Sequence, residues 1–130
     1  MTHIRYDCNL GCPVEAAMEV IGGKWKGVIL FHLLSETLRF HEIRSLIPEV
    51  THKTLSKQLR ELEAEGVLSR EVFPEVPPRV EYSLTPYGQT LAPAIHALQV
   101  WGMQHLERRH GEAAGDSVGR DGEGGPAAAS

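Results

Sequence analysis

A mainly α-helical domain carrying one small β-hairpin is predicted for this chain by three observations. Thr51 to Gly66 reads THKTLSKQLRELEAEG, with Leu55, Leu59 and Leu62 at i, i+4 and i+7 on one helical stripe. After Gly66 the apolar pattern switches to strand-like alternation, through Val67–Phe73 and again through Arg79–Leu84. A short helical stretch, His41 to Ile47, stops at Pro48 just before the Thr51 helix. Two short helices joined by a tight turn and followed by a hairpin make a winged helix-turn-helix.

The elements follow in chain order. Met1 to Gly11 is a polar arm carrying Cys8. Cys12 then stands at a helix N-cap, with Pro13 at the first helical position and Glu15 at the capping-box position. Val14, Ala17, Met18 and Ile21 give this helix an apolar face, and Gly22-Gly23 ends it. The second helix spans Lys24 to about Ser35 and turns Trp25, Val28, Ile29 and Leu33 inward, with Leu30 a further candidate for the same face. The stem of Lys24 has room to lie beside Trp25. Leu38 to Phe40 is a short extended piece, and the third helix is expected to bury Ile43 and Leu46.

Thr51 can cap the fourth helix through its hydroxyl, and Gly66 suits the left-handed turn that stops it. In the hairpin, Val80, Tyr82 and Leu84 share a face, while Pro74, Pro77 and Pro78 stiffen the tip of an edge wing. Thr85-Pro86 restarts a helix, whose stripe runs Leu91, Ile95, Leu98, Gly102 and Leu106 with Trp101 on its edge. Pro93 falls inside this run and should kink it or split off a first short turn. The stripe is longer than a domain of this size needs for its own core. Leu91, Ile95, Leu98, Trp101 and Leu106 are therefore expected to face a twin together with the first helix and the N-terminal arm, making a homodimer closed through terminal helices. From Gly111 the residues are mostly Gly, Ala, Asp, Glu and Ser, which predicts a disordered tail. The expected organisation is an arm over 1–11, one domain over 12–110 and a tail over 111–130.

Charge and composition limit the function. The 130-residue chain carries a formal net charge of −4. Glu112, Asp116, Asp121 and Glu123 stand against Arg120 alone in the tail, which leaves −1 for Met1 to His110. A DNA-binding surface here has to be a local patch on a nearly neutral body. The longest aliphatic–aromatic run, Val28 to Phe31, is far shorter than the about 20 residues that cross a bilayer. No secretory pattern opens the chain, and two cysteines without one fit free thiols in a reducing cytoplasm. No nucleophile elbow, zinc-protease motif or phosphate loop is present, so no enzyme activity and no cofactor are expected. His3, Cys8 and Cys12 supply three donors where a structural zinc site usually takes four, so no metal is expected either.

The Thr51 helix carries the function if any element does. Opposite the leucines project Lys53, Lys57 and Arg60, flanked by Thr54, Ser56 and Gln58, and no acid occurs between Thr51 and Arg60. A cationic, hydrogen-bonding front on an apolar back suits a helix that enters a DNA major groove N-terminus first. A solvated amphipathic helix has the same pattern, and the helix alone leaves both readings open. Arg79, beside the wing tip, is placed to reach a minor groove or phosphate in the first reading and is a solvated strand residue in the second. A winged helix used only for protein contacts is the further alternative. Salt-sensitive binding to duplex DNA separates it from a regulator.

Four signatures in order resemble one family. Cys12-Pro13-Val14-Glu15, Ile21-Gly22-Gly23-Lys24-Trp25, Leu55-Ser56-Lys57-Gln58-Leu59-Arg60-Glu61-Leu62-Glu63 and Pro74 through Thr85 resemble the HxlR regulators of bacteria, which are similar to MarR-type proteins. The resemblance runs from Cys8 to about His105. It implies a dimeric winged helix-turn-helix that binds double-stranded operator DNA as repressor or activator. It also implies that Lys53, Thr54, Ser56, Lys57, Gln58 and Arg60 face the major groove and that Arg79 is the wing contact.

Some members of that family sense electrophiles or oxidants through a cysteine at the start of the first helix, where Cys12 aligns. At a helix N-terminus a thiol faces unpaired N–H groups that favour thiolate, while Glu15 one turn on opposes this. Cys8, four residues earlier, is an additional thiol that could resolve an oxidised Cys12. A plain helix cap, with a regulator answering to a small-molecule ligand, is the alternative.

Overall fold

The computed structural model describes residues 11–118. The elements are α1 (Pro13–Ile21), α2 (Lys26–Leu33), β1 (Leu38–Arg39), α3 (Phe40–Leu46), α4 (His52–Ala64), β2 (Leu68–Phe73), β3 (Arg79–Leu84), α5 (Pro86–Gln89) and α6 (Ala92–Val118). Two compact units divide between Ala92 and Pro93. Among the described residues no helix is long and apolar enough to cross a membrane.

In the first unit the core forms where α2, α3 and α4 meet the sheet. Ile29, Leu30 and Leu33 of α2, Ile43 of α3, and Leu55, Leu59 and Leu62 of α4 are all at most 2% exposed. Ile21, Leu38, Ile47, Val50, Val67, Leu68 and Tyr82 are buried with them. The sheet has the order β1-β3-β2 and is antiparallel throughout, with Leu38 opposite Tyr82 and Leu68 opposite Leu84. The extended piece at Leu38 is thus a third strand, paired with the wing across more than forty positions of chain. No local pattern could have announced that pairing.

Helix ends account for the boundaries of α4. Thr51 Oγ1 accepts from the Thr54 N–H at 3.0 Å. At the other end Gly66 has φ +82°, its N–H donates to Glu63 O, and the Val67 N–H donates to Leu62 O. This is the paired closure that a glycine after a helix permits. The wing then returns to the same corner. Thr85 Oγ1 donates to Gly66 O at 2.6 Å and accepts from the Gly88 N–H at 2.9 Å. Gly88 is buried, and a Cβ there would run into the Val67 carbonyl.

Several expectations need correction. Leu46 is 45% exposed and Ile47 is buried in its place. The helix starts at Phe40, so Ile43 and Ile47, four apart, share the inward stripe. Val28, expected inward, is exposed, while Leu30, the further candidate for the inward face, is fully buried. In α1, Val14 and Met18 are 64% and 48% exposed, and only Ile21 is buried. Trp25 is half-buried, and it is the Lys24 ammonium, with Nζ 4.9 Å from the ring centre, that lies over it where the stem is expected.

Pro93 lies in the first turn of α6 and a separate short α5 precedes it, so the run splits where the proline demands. The second unit is α6, which continues to Val118 rather than ending at Gly111. The tail is therefore helical over its first eight residues, 111–118. Arg108 Nε donates to Glu112 Oε2 at 3.1 Å across the expected boundary, an i,i+4 link that favours helix there. The rest of the tail and the arm with Cys8 lie outside the described residues.

Candidate nucleic-acid interface

The geometry of α4 follows from its leucine back. With Leu55, Leu59 and Leu62 sealed in the core, Lys53, Lys57 and Arg60 are left exposed, and Thr54, Ser56 and Gln58 are half-buried on the flanks. All six residues of the expected reading set thus belong to one outward-facing surface. The helix is held from the α3 side as well, because Arg44 Nε donates to Val50 O at 3.4 Å across the turn. Glu42 closes the start of α3 by accepting from the Arg39 N–H at 2.8 Å.

Two clefts flank this surface. One, of about 440 Å³, lies between α4 and the sheet, lined by Ser56, Arg60 and Glu63 on one side and Arg70, Val80 and Tyr82 on the other. The second, of about 430 Å³, lies between α3 and the start of α4, lined by His41, Arg44, Ser45 and Pro48. Phe40 and His52 border both, and their rings sit 4.5 Å apart. Sequence reasoning missed His41, Arg44, His52 and Arg70 at this surface. Their signal is only that His41, Arg44 and His52 lie on the two helix-turn-helix helices and that Arg70 is an exposed cation on strand β2 of the wing.

Arg79 has different surroundings from those expected. Its Nη2 is 3.1 Å from Glu75 Oε2, its Nη1 is 3.5 Å from Glu81 Oε2, and the guanidinium lies 4.0 Å over the Phe73 ring. The side chain is 29% exposed and its Nε is buried. Two carboxylates offset its charge, so it clamps the wing tip as it stands and reaches a phosphate only by leaving them.

Electrostatics at the far end of α4 centre on Glu61. The hydrogen bond from Lys26 holds its carboxyl below the usual glutamate range. Burial acts the other way, and the charges of Lys26, Lys57 and Arg60 add to the lowering. Cys12 caps α1 by position alone: it is exposed, and its side chain makes no cap hydrogen bond. Among the described residues no cluster of three or more metal-binding side chains occurs.

The profile of the HxlR-like helix-turn-helix family matches residues 20–110. The chain belongs to the HxlR family. YdeP of Bacillus subtilis (strain 168), an uncharacterised HTH-type transcriptional regulator, is 52% identical over 98 residues, covering 75% of this chain and 77% of YdeP. Among solved structures, the redox regulator HypR in its oxidised form aligns with a TM-score of 0.69 at 49% identity, over 72% of this chain and 96% of HypR. The reduced form of the transcriptional regulator YodB from B. subtilis aligns with a TM-score of 0.63 at 37% identity, over 72% of this chain and 92% of YodB. YodB has also been solved after diamide treatment and with quinone bound.

As an HxlR protein the chain is a helix-turn-helix transcription regulator with a MarR-like fold. The matched HxlR segment contains α2 through α5 and both clefts, and Cys12 lies upstream of it.

Proposed function

We propose that the protein binds duplex operator DNA as a homodimer, with α4 in the major groove, and that modification of Cys12 changes this binding. The observation that carries the reading is the capped front of α4, free of acids up to Arg60 and raised on three fully buried leucines. Lysine and arginine there can take phosphates or guanine edges, and the neighbouring hydroxyl and amide groups can take either.

Exposed apolar side chains support the dimer. Val14 and Met18 on α1, and Leu98, Trp101 and Leu106 on α6, are each about half exposed or more. Such surface is normally covered by a partner. Trp101 stacks on His105 with ring centres 5.1 Å apart. Leu91 is half-buried and Ile95 is buried within one chain, so Leu98, Trp101 and Leu106 would carry more of the interface than those two. Sedimentation at micromolar concentration should give a dimer, and Leu98→Glu with Leu106→Glu should shift it to monomer. A wild-type monomer that binds operator fully contradicts the dimer.

Thiol switching is supported by the exposure of Cys12 and by similarity to HypR and YodB. Modification adds volume or a cross-link where α1 begins. Two reading helices must fall in successive grooves together, and about 1.4 kcal/mol of misfit costs a factor of ten in affinity. Cys12→Ser should keep operator binding but lose its response to diamide or a quinone. Cys8→Ser should leave a response that is altered or less reversible. DNA release with Cys12 found unmodified by mass spectrometry contradicts the switch.

A further inference from the structure

Buried leucines hold α4 in the core, but apolar contact is non-directional, and a small rotation of the helix changes little buried area. A charge-assisted hydrogen bond has a required direction and length. One such bond ties α4 to α2: Lys26 Nζ lies 2.8 Å from Glu61 Oε1. The Lys26 side chain is only 15% exposed, so its stem is packed and the ammonium has little freedom. Lys26 is the first residue of α2, one turn before Ile29 and Leu30, which are fully buried. Glu61 follows Arg60 directly and stands one turn beyond Lys57, whose Nζ is 4.0 Å from the other carboxylate oxygen. The bond therefore joins the rigid core to the seam between the leucine back and the cationic front of α4.

We propose that the Lys26–Glu61 bridge is a positioning element for sequence reading, setting the rotation at which Lys57 and Arg60 meet base edges. The inference rests on the proposed reading of α4. It adds two residues that would not themselves touch a base. A simple field effect gives a different pattern. Without positioning, Lys26→Met would weaken and Glu61→Ala would strengthen binding to every duplex alike, because one removes a positive and the other a negative charge near phosphates.

The two cases separate on the ratio of affinities for a selected and a scrambled duplex. The selected duplex is the one that wild-type full-length protein enriches from a randomised pool, and the scrambled one has the same composition. Positioning predicts that Lys26→Met and Glu61→Ala both lower the ratio, by about tenfold for 1.4 kcal/mol of misalignment. The double variant should lose no more than either single one, because both remove the same bond. Lys26→Arg should keep most of the ratio, and the reversal Lys26→Glu with Glu61→Lys should recover it. That reversal supplies the test if either single variant fails to melt cooperatively. Ratios unchanged in both single variants, or no recovery in a folded reversal, overturn the proposal. A wild-type protein that enriches no duplex contradicts the reading of α4 itself, and the proposal falls with it.

Discussion

Lys57→Ala combined with Arg60→Ala should strongly weaken operator binding while leaving the fold intact. Both side chains are exposed on the face opposite the leucines, so their removal takes nothing from the core. Lys57 is 65% exposed and its 4.0 Å pairing with Glu61 is a surface contact, worth little to stability. Each lost base contact should cost roughly 1–3 kcal/mol and relax specificity at one position. A lost phosphate contact should instead weaken all sequences alike and reduce the steepness of the salt dependence. Titration of labelled duplex at two salt concentrations distinguishes these. Unchanged affinity in the double variant would mean that α4 faces something other than DNA, and binding insensitive to salt would favour a protein partner.

Leu59→Ala should have the opposite profile. Leu59 is 1% exposed between Leu55 and Leu62, and truncation opens a cavity that typically costs about 2–5 kcal/mol. Leu59 also borders the floor of the cleft between α4 and the sheet, so partial collapse from that side should place the loss in the lower half of the range. Thermal melting should fall by several degrees, and operator affinity measured well below the transition should stay close to wild type. A variant of wild-type stability would contradict the placement of this stripe in the core.

What was legible in the sequence was local. The bounds of α4 could be read because Thr51 and Gly66 carry the chemistry of helix ends, and the structure shows both acting as such. The wing was legible because apolar alternation changes at Gly66 and prolines mark its tip. Pro93 announced the break between α5 and α6 for the same reason.

The illegible features were long-range or depended on competing local terms. Leu38 pairs with Tyr82, Lys26 meets Glu61, and neither pair has a spacing that a helix or hairpin explains. Arg79 read as a free cation because its sequence neighbours do not reveal that Glu75 and Glu81 converge on it. The helical segment past Gly111 was missed because glycine content outweighed the alanines and the Arg108–Glu112 link. The reading front of α4 was visible in the residues, and what set it apart from a solvated helix was the family resemblance.

The central claim is that two copies of this chain read DNA through paired α4 helices. A nuclease footprint on the DNA upstream of its own gene, with and without diamide, tests it most directly. The account predicts protection of an inverted repeat whose half-sites lie about one helical turn, near 34 Å, apart. Protection should be lost on oxidation in the wild type and retained in Cys12→Ser. Protection of a single unrepeated half-site, or no protection at protein concentrations that saturate non-specific binding, would contradict it.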